Sequence, residues 1–199
     1  MRGVYMIKKI FFSCVTLLIA CLIIFLAQKA LTKISRGEKL DPMQVYYICQ
    51  KNKPQKGNIP EELIFSIAMT ESSGYIKART EYAYGLTGLS RIALREINAE
   101  FKMNVQYRDL ENPETAVIAS YAYMQSLYNK WKNINPGMDD YTVLQLSVIS
   151  YVWGIGNTLK WLNNTNTSNR YIDEAIPQDA KDYLYNISFW SFYGKKNFD

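Results

Sequence analysis

Histidine is absent from the 199 residues. Its absence excludes Ser-His and Cys-His nucleophile pairs and most zinc sites, so any catalysis falls to carboxylates, tyrosine, lysine or serine. Cysteine is scarce: Cys14 and Cys21 lie in an N-terminal apolar run and Cys49 stands alone beyond it. That spacing writes no disulfide framework and leaves Cys49 as a small core residue. Excess charge is scarce as well. Of the formal net charge of +5, three positives belong to Arg2, Lys8 and Lys9 ahead of the apolar run, leaving +2 for everything after it. A surplus that small does not argue for nucleic acid as a partner. No internal repeat is visible, and strand signals are short, confined to the stretch between Tyr75 and Leu89.

Apolar residues are plentiful. A hydrophobic content of 48%, with 14% aromatic, supplies a packed core for one domain with an appendage. The appendage is N-terminal, residues 1–27. Ile10 to Ala27 is eighteen residues without a formal charge, long enough to span a bilayer. It reads as a signal anchor with Lys8 and Lys9 on the cytoplasmic side, or as a lipoprotein signal in which Leu18-Ile19-Ala20-Cys21 is the lipobox and Cys21 the lipidated residue. A removed signal is a third reading, and all three place the rest of the chain outside the cytoplasm. Residues 28–41 form a polar, basic tether, and 42–199 the domain.

Within the domain, Asp41-Pro42 reads as an N-cap with proline at the first helical position, and Val45, Tyr46, Ile48 and Cys49 give that helix an apolar side. It stops in NKPQKGN. Pro60 opens the next helix with Glu61 and Glu62 in its first turn. Ile64, Ile67, Ala68 and Glu71 follow the spacing i, i+3, i+4, i+7, so Glu71 is aimed inward along an apolar stripe. Gly74 serves as a left-handed terminator, placing Glu71 in the last turn. The negative helix end and apolar neighbours both oppose ionisation of that carboxyl; pairing with Arg79 or Arg91 is the plainer alternative. Tyr82, Tyr84, Gly85 and Gly88 then make a short loop that admits a ligand close to the backbone. Asn112-Pro113 starts a helix with the stripe Val117, Tyr121, Met124, Tyr128 and Trp131. Asp139 or Asp140 caps another, in which Val143 to Trp153 is apolar nearly all round and reads as the central helix, closed by Gly154 and Gly156. Asn163 to Asn169, NNTNTSN, reads as an exposed loop. Ile176-Pro177 begins the last helix, with Ala180, Tyr183, Leu184 and Ile187 on one side.

Pro60, Leu63, Ala68, Glu71-Ser72, Gly85-Leu86, Asn112-Pro113, Ala122-Tyr123, Ser150-Tyr151, Gly154 and Gly156 occur in an order that resembles the lytic transglycosylase domain of the lysozyme superfamily. Its small membrane-bound, endo-acting branch is the most similar. The resemblance spans roughly residues 59 to 190 and implies a mainly α, lysozyme-like α+β domain with at most a small β element. It implies peptidoglycan glycan strands as substrate, Glu71 as the acid and then the base, and no metal or organic cofactor. It also implies a final-helix tyrosine at the catalytic carboxyl, matched by Tyr183 with Tyr185 in reserve. Thr80 matches a serine that positions the sugar. Ser72, the backbone of Gly85, Leu86, Thr87 and Gly88, Tyr151 and Trp153 would complete the substrate contacts. Two positions depart from the family pattern: Gly85-Leu86-Thr87-Gly88 stands where Gly-Leu-Met-Gln is usual, and Val152 or Trp153 replaces an asparagine expected after Tyr151. Envelope-machine proteins are further expected partners.

Overall fold

The computed structural model describes residues 36–164 and 178–198. The apolar run with its lipobox, tether residues 28–35, residues 165–169 of the asparagine-rich loop, and Ile176-Pro177 lie outside the described residues. Among the described residues no helix is long and apolar enough to cross a membrane. Met1–Gly37 is one unit and the residues from Glu38 onward form a second, compact one.

The second unit is mainly helical. Helix α1, Pro42–Lys51, begins as its cap residues dictate: Asp41 accepts from the Gln44 amide while the Gln44 side chain accepts from the Asp41 amide, so two orphan donors are satisfied reciprocally. Helix α2, Glu61–Ser72, is buried on every side from Leu63 to Met69. A two-stranded antiparallel sheet follows, β1 Ala83–Tyr84 and β2 Leu89–Ser90, in register Ala83 with Ser90 and Tyr84 with Leu89. Then come α3, Arg91–Glu100, a 3₁₀ turn at Tyr107–Glu111, α4 at Pro113–Ile134, α5 at Asp140–Trp153, α6 at Ile155–Asn164 and α7 at Gln178–Phe198.

Three expectations shift. The helix enclosed by the others is α2, because α5 leaves Val152 exposed and Leu144, Gln145 and Trp153 half-buried. A nearly all-apolar sequence thus faces a groove and a cleft as well as the core. Gly154, at φ 80°, does end α5, but Gly156 lies in the first turn of α6, which starts one residue later. The left-handed cap of α2 is Ser73, at φ 52°. Gly74 follows it, itself at φ 88°, and has a second reason to be glycine: a Cβ there would collide with the Leu40 carbonyl, where Leu40 N donates back to Gly74 O at 2.9 Å.

The predicted stripe of α4 is buried throughout, and polar bonds tie it to its neighbours. Trp131 Nε1 donates to Ser150 Oγ at 3.0 Å, and Ser150 in turn donates to Thr158 Oγ1 on α6 at 3.2 Å. Cys49 is fully buried in the core, and burial pushes its thiol pKa well up, as a structural cysteine requires.

Candidate active site

Glu71 projects from the last turn of α2 into a cleft of about 590 Å³. The walls come from β1–β2, from α3 through Ile92, Ala93 and Glu96, from α4 through Tyr123, and from the α5–α6 junction at Tyr151 to Gly156; Tyr183 enters from α7. Its carboxyl is pushed up to about 7, first by burial, against which a hydrogen bond from Tyr183 acts in the lowering direction. Tyr183 Oη donates to Glu71 Oε1 at 2.8 Å. Neither arginine pairs with Glu71: Arg79 lies over the Tyr84 ring and Arg91 over the Tyr107 ring, at 5.8 and 4.0 Å. The result is a proton held near neutrality on a group that one hydroxyl keeps in place, the requirement for an acid that must return as a base.

Removing that hydroxyl has a signed consequence. Because the Tyr183 bond lowers the Glu71 pKa, Tyr183→Phe should move the alkaline limb of a pH–rate profile to higher pH. Turnover should fall about tenfold, the worth of one hydrogen bond to a charged group. An unmoved limb would show that the bond does not tune the acid.

Gly85 to Gly88 joins the two strands, and the structure assigns its glycines to the protein's own packing. A Cβ at Gly85 would stand 2.5 Å from the Leu110 carbonyl, and one at Gly88 would stand 2.5 Å from Glu71 Oε2. Leu86 and Thr87 are fully buried. Thr87 Oγ1 donates to the Ala116 carbonyl at 3.2 Å, and the Thr87 carbonyl accepts from Tyr151 Oη at 2.7 Å. The loop is therefore a wedge between α4, α5 and the acid, and of its four residues only Gly88 lines the cleft. Tyr151→Phe should leave the buried Thr87 carbonyl without its donor. The expected loss is about 1–3 kcal/mol of stability, measured by denaturant unfolding.

The remaining expected contacts divide cleanly. Glu71, Gly88, Tyr151, Trp153 and Tyr183 meet in the cleft. Ser72 is buried, donating to the Ala68 carbonyl at 2.7 Å and accepting from Gly74 N at 3.1 Å. Thr80 closes the turn before β1, accepting from the Tyr82 and Ala83 amides. Neither Ser72 nor Thr80 lines the cleft. Tyr185, the reserve tyrosine, is exposed and lines a separate groove.

Residues that the sequence left unassigned also line the cleft. Glu96 is a second carboxylate there, paired with Lys130 at 2.8 Å. Tyr123 stacks obliquely on Tyr151 with ring centroids 5.3 Å apart. Thr70 Oγ1 is, among the described residues, the buried side-chain oxygen without a hydrogen-bond partner, and Thr70 lines the cleft beside Glu71. The signal for Glu96 was present: Ser90 caps α3 by accepting from Ala93 N, and position 96 lies one turn beyond Ala93 on the same side. Among the described residues no group of three or more Cys, Asp or Glu side chains is placed to hold a metal ion.

Residues 48–173 match the family described as the transglycosylase SLT domain. No curated protein matches the chain. Among solved structures, an inactive mutant of the lytic transglycosylase Slt from Pseudomonas aeruginosa aligns with a TM-score of 0.59 at 21% identity, covering 76% of this chain and 23% of that one. The 70 kDa soluble lytic transglycosylase from Escherichia coli aligns with a TM-score of 0.61 at 21% identity, covering 78% and 24%. A complex of the 70-kDa soluble lytic transglycosylase with bulgecin A gives 0.63 at 19% identity. The chain thus spans about a quarter of the length of these structures, and the likeness to them is one of fold. With its match covering more than half of its residues, the chain belongs to the transglycosylase SLT domain family.

Proposed function

We propose that the domain is a peptidoglycan lytic transglycosylase that cleaves the β-1,4 bond between N-acetylmuramic acid and N-acetylglucosamine and closes a 1,6-anhydro ring on the muramic residue. The observation that carries this reading is the Glu71 carboxyl, poised at about 7 in the cleft with Tyr183 bonded to it. Protonated Glu71 gives its proton to the glycosidic oxygen as the bond to the anomeric carbon breaks. The substrate's own acetamido group supports the positive charge that develops there. Ionised Glu71 then takes the proton of the C6 hydroxyl while that oxygen bonds to the anomeric carbon, which restores the acid and consumes no water.

A single acid that titrates near neutrality suits both halves of this cycle. Glycosidases that hydrolyse ordinarily set two carboxyls on either side of the scissile bond. The second carboxylate of this cleft, Glu96, is engaged by Lys130, which favours the one-acid route over hydrolysis. Residues 1–27 would hold the domain at the membrane on the cell-wall side, where envelope-machine proteins are available as partners.

The test is mass spectrometry of peptidoglycan digested by the protein. Anhydromuropeptides are expected; reducing muramic ends would establish a hydrolase. Retention of glycan without either product would establish a binding protein of the same fold.

A further inference from the structure

The C-terminal part of α7 carries a surface that the cleft does not use. From Leu184 to Phe198 it holds six aromatic residues, two lysines and no acid. One side is committed inward. Gly194 lies against the Phe65 ring, and Trp190 and Phe198 meet that ring edge-on. The opposite side is uncovered among the described residues: Tyr185, Phe189 and Phe192, at i, i+4 and i+7, are 73%, 53% and 69% exposed. That spacing puts them on one line of the helix, and Lys196, eleven residues from Tyr185, returns to it. Lys195 flanks the line and is exposed as well.

Exposed aromatic rings aligned this way mark an interaction surface. The neighbouring helix extends its character. Tyr46 of α1 meets Phe198 at 5.0 Å between ring centroids, and α1, without an acid in Pro42–Lys51, exposes Met43 and Tyr47. The acids alongside are few. Asp182, a turn earlier on α7, accepts from Gln178 Nε2 at 2.7 Å. Glu62 lies in the groove between α2, α5 and α7.

We propose that this face of α7 docks on a bilayer that carries anionic lipid, with Tyr185, Phe189 and Phe192 entering the headgroup boundary and Lys195 and Lys196 at the lipid phosphates. Amphipathic rings and lysine stems are suited to that boundary, where the apolar part is buried and the charged end stays wet. The two lysines at this end of the helix, against the single acid that follows them in the sequence, Asp199, complement an anionic surface. Tyr183, two residues from Tyr185, leaves the helix on its far side toward Glu71, as a rotation of about 200° requires. Docking therefore leaves the acid unobstructed, and it stands apart from the catalytic reading.

Hydroxyl-radical footprinting of the full chain, reconstituted in vesicles of phosphatidylcholine alone or mixed with phosphatidylglycerol, tests this directly. Tyr82, 73% exposed on the hairpin, is the internal reference. Oxidation of Phe189 and Phe192 should fall severalfold when phosphatidylglycerol is present while that of Tyr82 holds. The pair Lys195→Glu and Lys196→Glu should restore it, shifting the docked ratio by at least about 30-fold, the worth of two lysines at such a surface. Both lysines are exposed and in the last turn of α7, so the pair variant should lose only about 1–2 kcal/mol on unfolding, the cost of reversing charge at a helix C-terminus, and stay folded. Equal oxidation in the two lipids would overturn the proposal. So would protection that appears without lipid and grows with protein concentration, since a second copy would then be the occupant.

Discussion

Glu71→Gln should abolish anhydromuropeptide formation and, in the same protein, raise its stability at neutral pH. Loss of a positioned general acid costs roughly a hundredfold to ten-thousandfold in rate, and glutamine cannot donate a proton to the glycosidic oxygen or accept one from the C6 hydroxyl. The stability effect follows from the same burial. A carboxyl that titrates at about 7 in the fold against an ordinary 4.5 binds its proton more tightly when folded. The stability that the group contributes is therefore fully present below about 4.5 and is lost as pH rises through about 7. Above that, the ionised group costs about 3 kcal/mol, a cost the neutral amide avoids while its oxygen still accepts from Tyr183. Thermal unfolding of the two proteins should coincide near pH 4 and separate by several degrees near pH 8, at about 2–4 °C per kcal/mol for a domain of this size. Full activity in the variant would remove Glu71 from the chemistry. A separation that did not widen with pH would show the carboxyl to be less desolvated than its surroundings imply.

The ease with which this residue is found in the sequence has a physical basis. Its direction is set by the helix period, and the period needs only Ile64, Ile67 and Ala68, all within seven residues, which are fully buried. The helix starts at Asp41-Pro42, Asn112-Pro113 and Asp139 are legible for the same reason, since a cap is satisfied by the amide three residues on. Helix α3 had those signals too, in Ser90 with Ala93, Leu94 and Ile97, and they pass unnoticed beside the glycine-rich loop. The cleft was harder to read because its walls are set by residues distant in the chain. Tyr151 fixes the Thr87 carbonyl across 64 positions, and Tyr183 reaches Glu71 across 112. The latter contact was expected through family resemblance, not through spacing. Without such contacts, a glycine required by the Leu110 carbonyl and one required by the Glu71 carboxyl look like a loop opened for ligand. Ser72 and Thr80 likewise look available until Ala68 O and the turn amides are seen to occupy them.

Gly88→Ala should cost activity far beyond its cost in stability. At φ 64° the residue occupies the left-handed region, where a side chain costs roughly 1–2 kcal/mol. Denaturant unfolding should report a loss of about that size. What Gly88 adds is collision: the new carbon would lie 2.5 Å from Glu71 Oε2, 2.8 Å from the carboxyl carbon and 2.9 Å from Cγ. Ordinary contact requires more than this, and the buried residues of α2 hold its backbone, so the carboxyl is the part that moves. Displacement of a reacting group by about 1 Å costs on the order of a hundredfold, and the movement would also break the 2.8 Å bond from Tyr183. Turnover should therefore collapse while glycan binding changes little, a split read from kcat and KM on soluble glycan strands. If Gly88→Ala kept its turnover, the carboxyl would have room to shift without loss, and the wedge formed by residues 85–88 would have no part in aiming it. The glycine that stands where the family usually carries glutamine would then be a free substitution. If turnover collapses, glycine at this position is what allows the loop to seat the acid, and any glutamine-like contact with the sugar must come from another wall of the cleft.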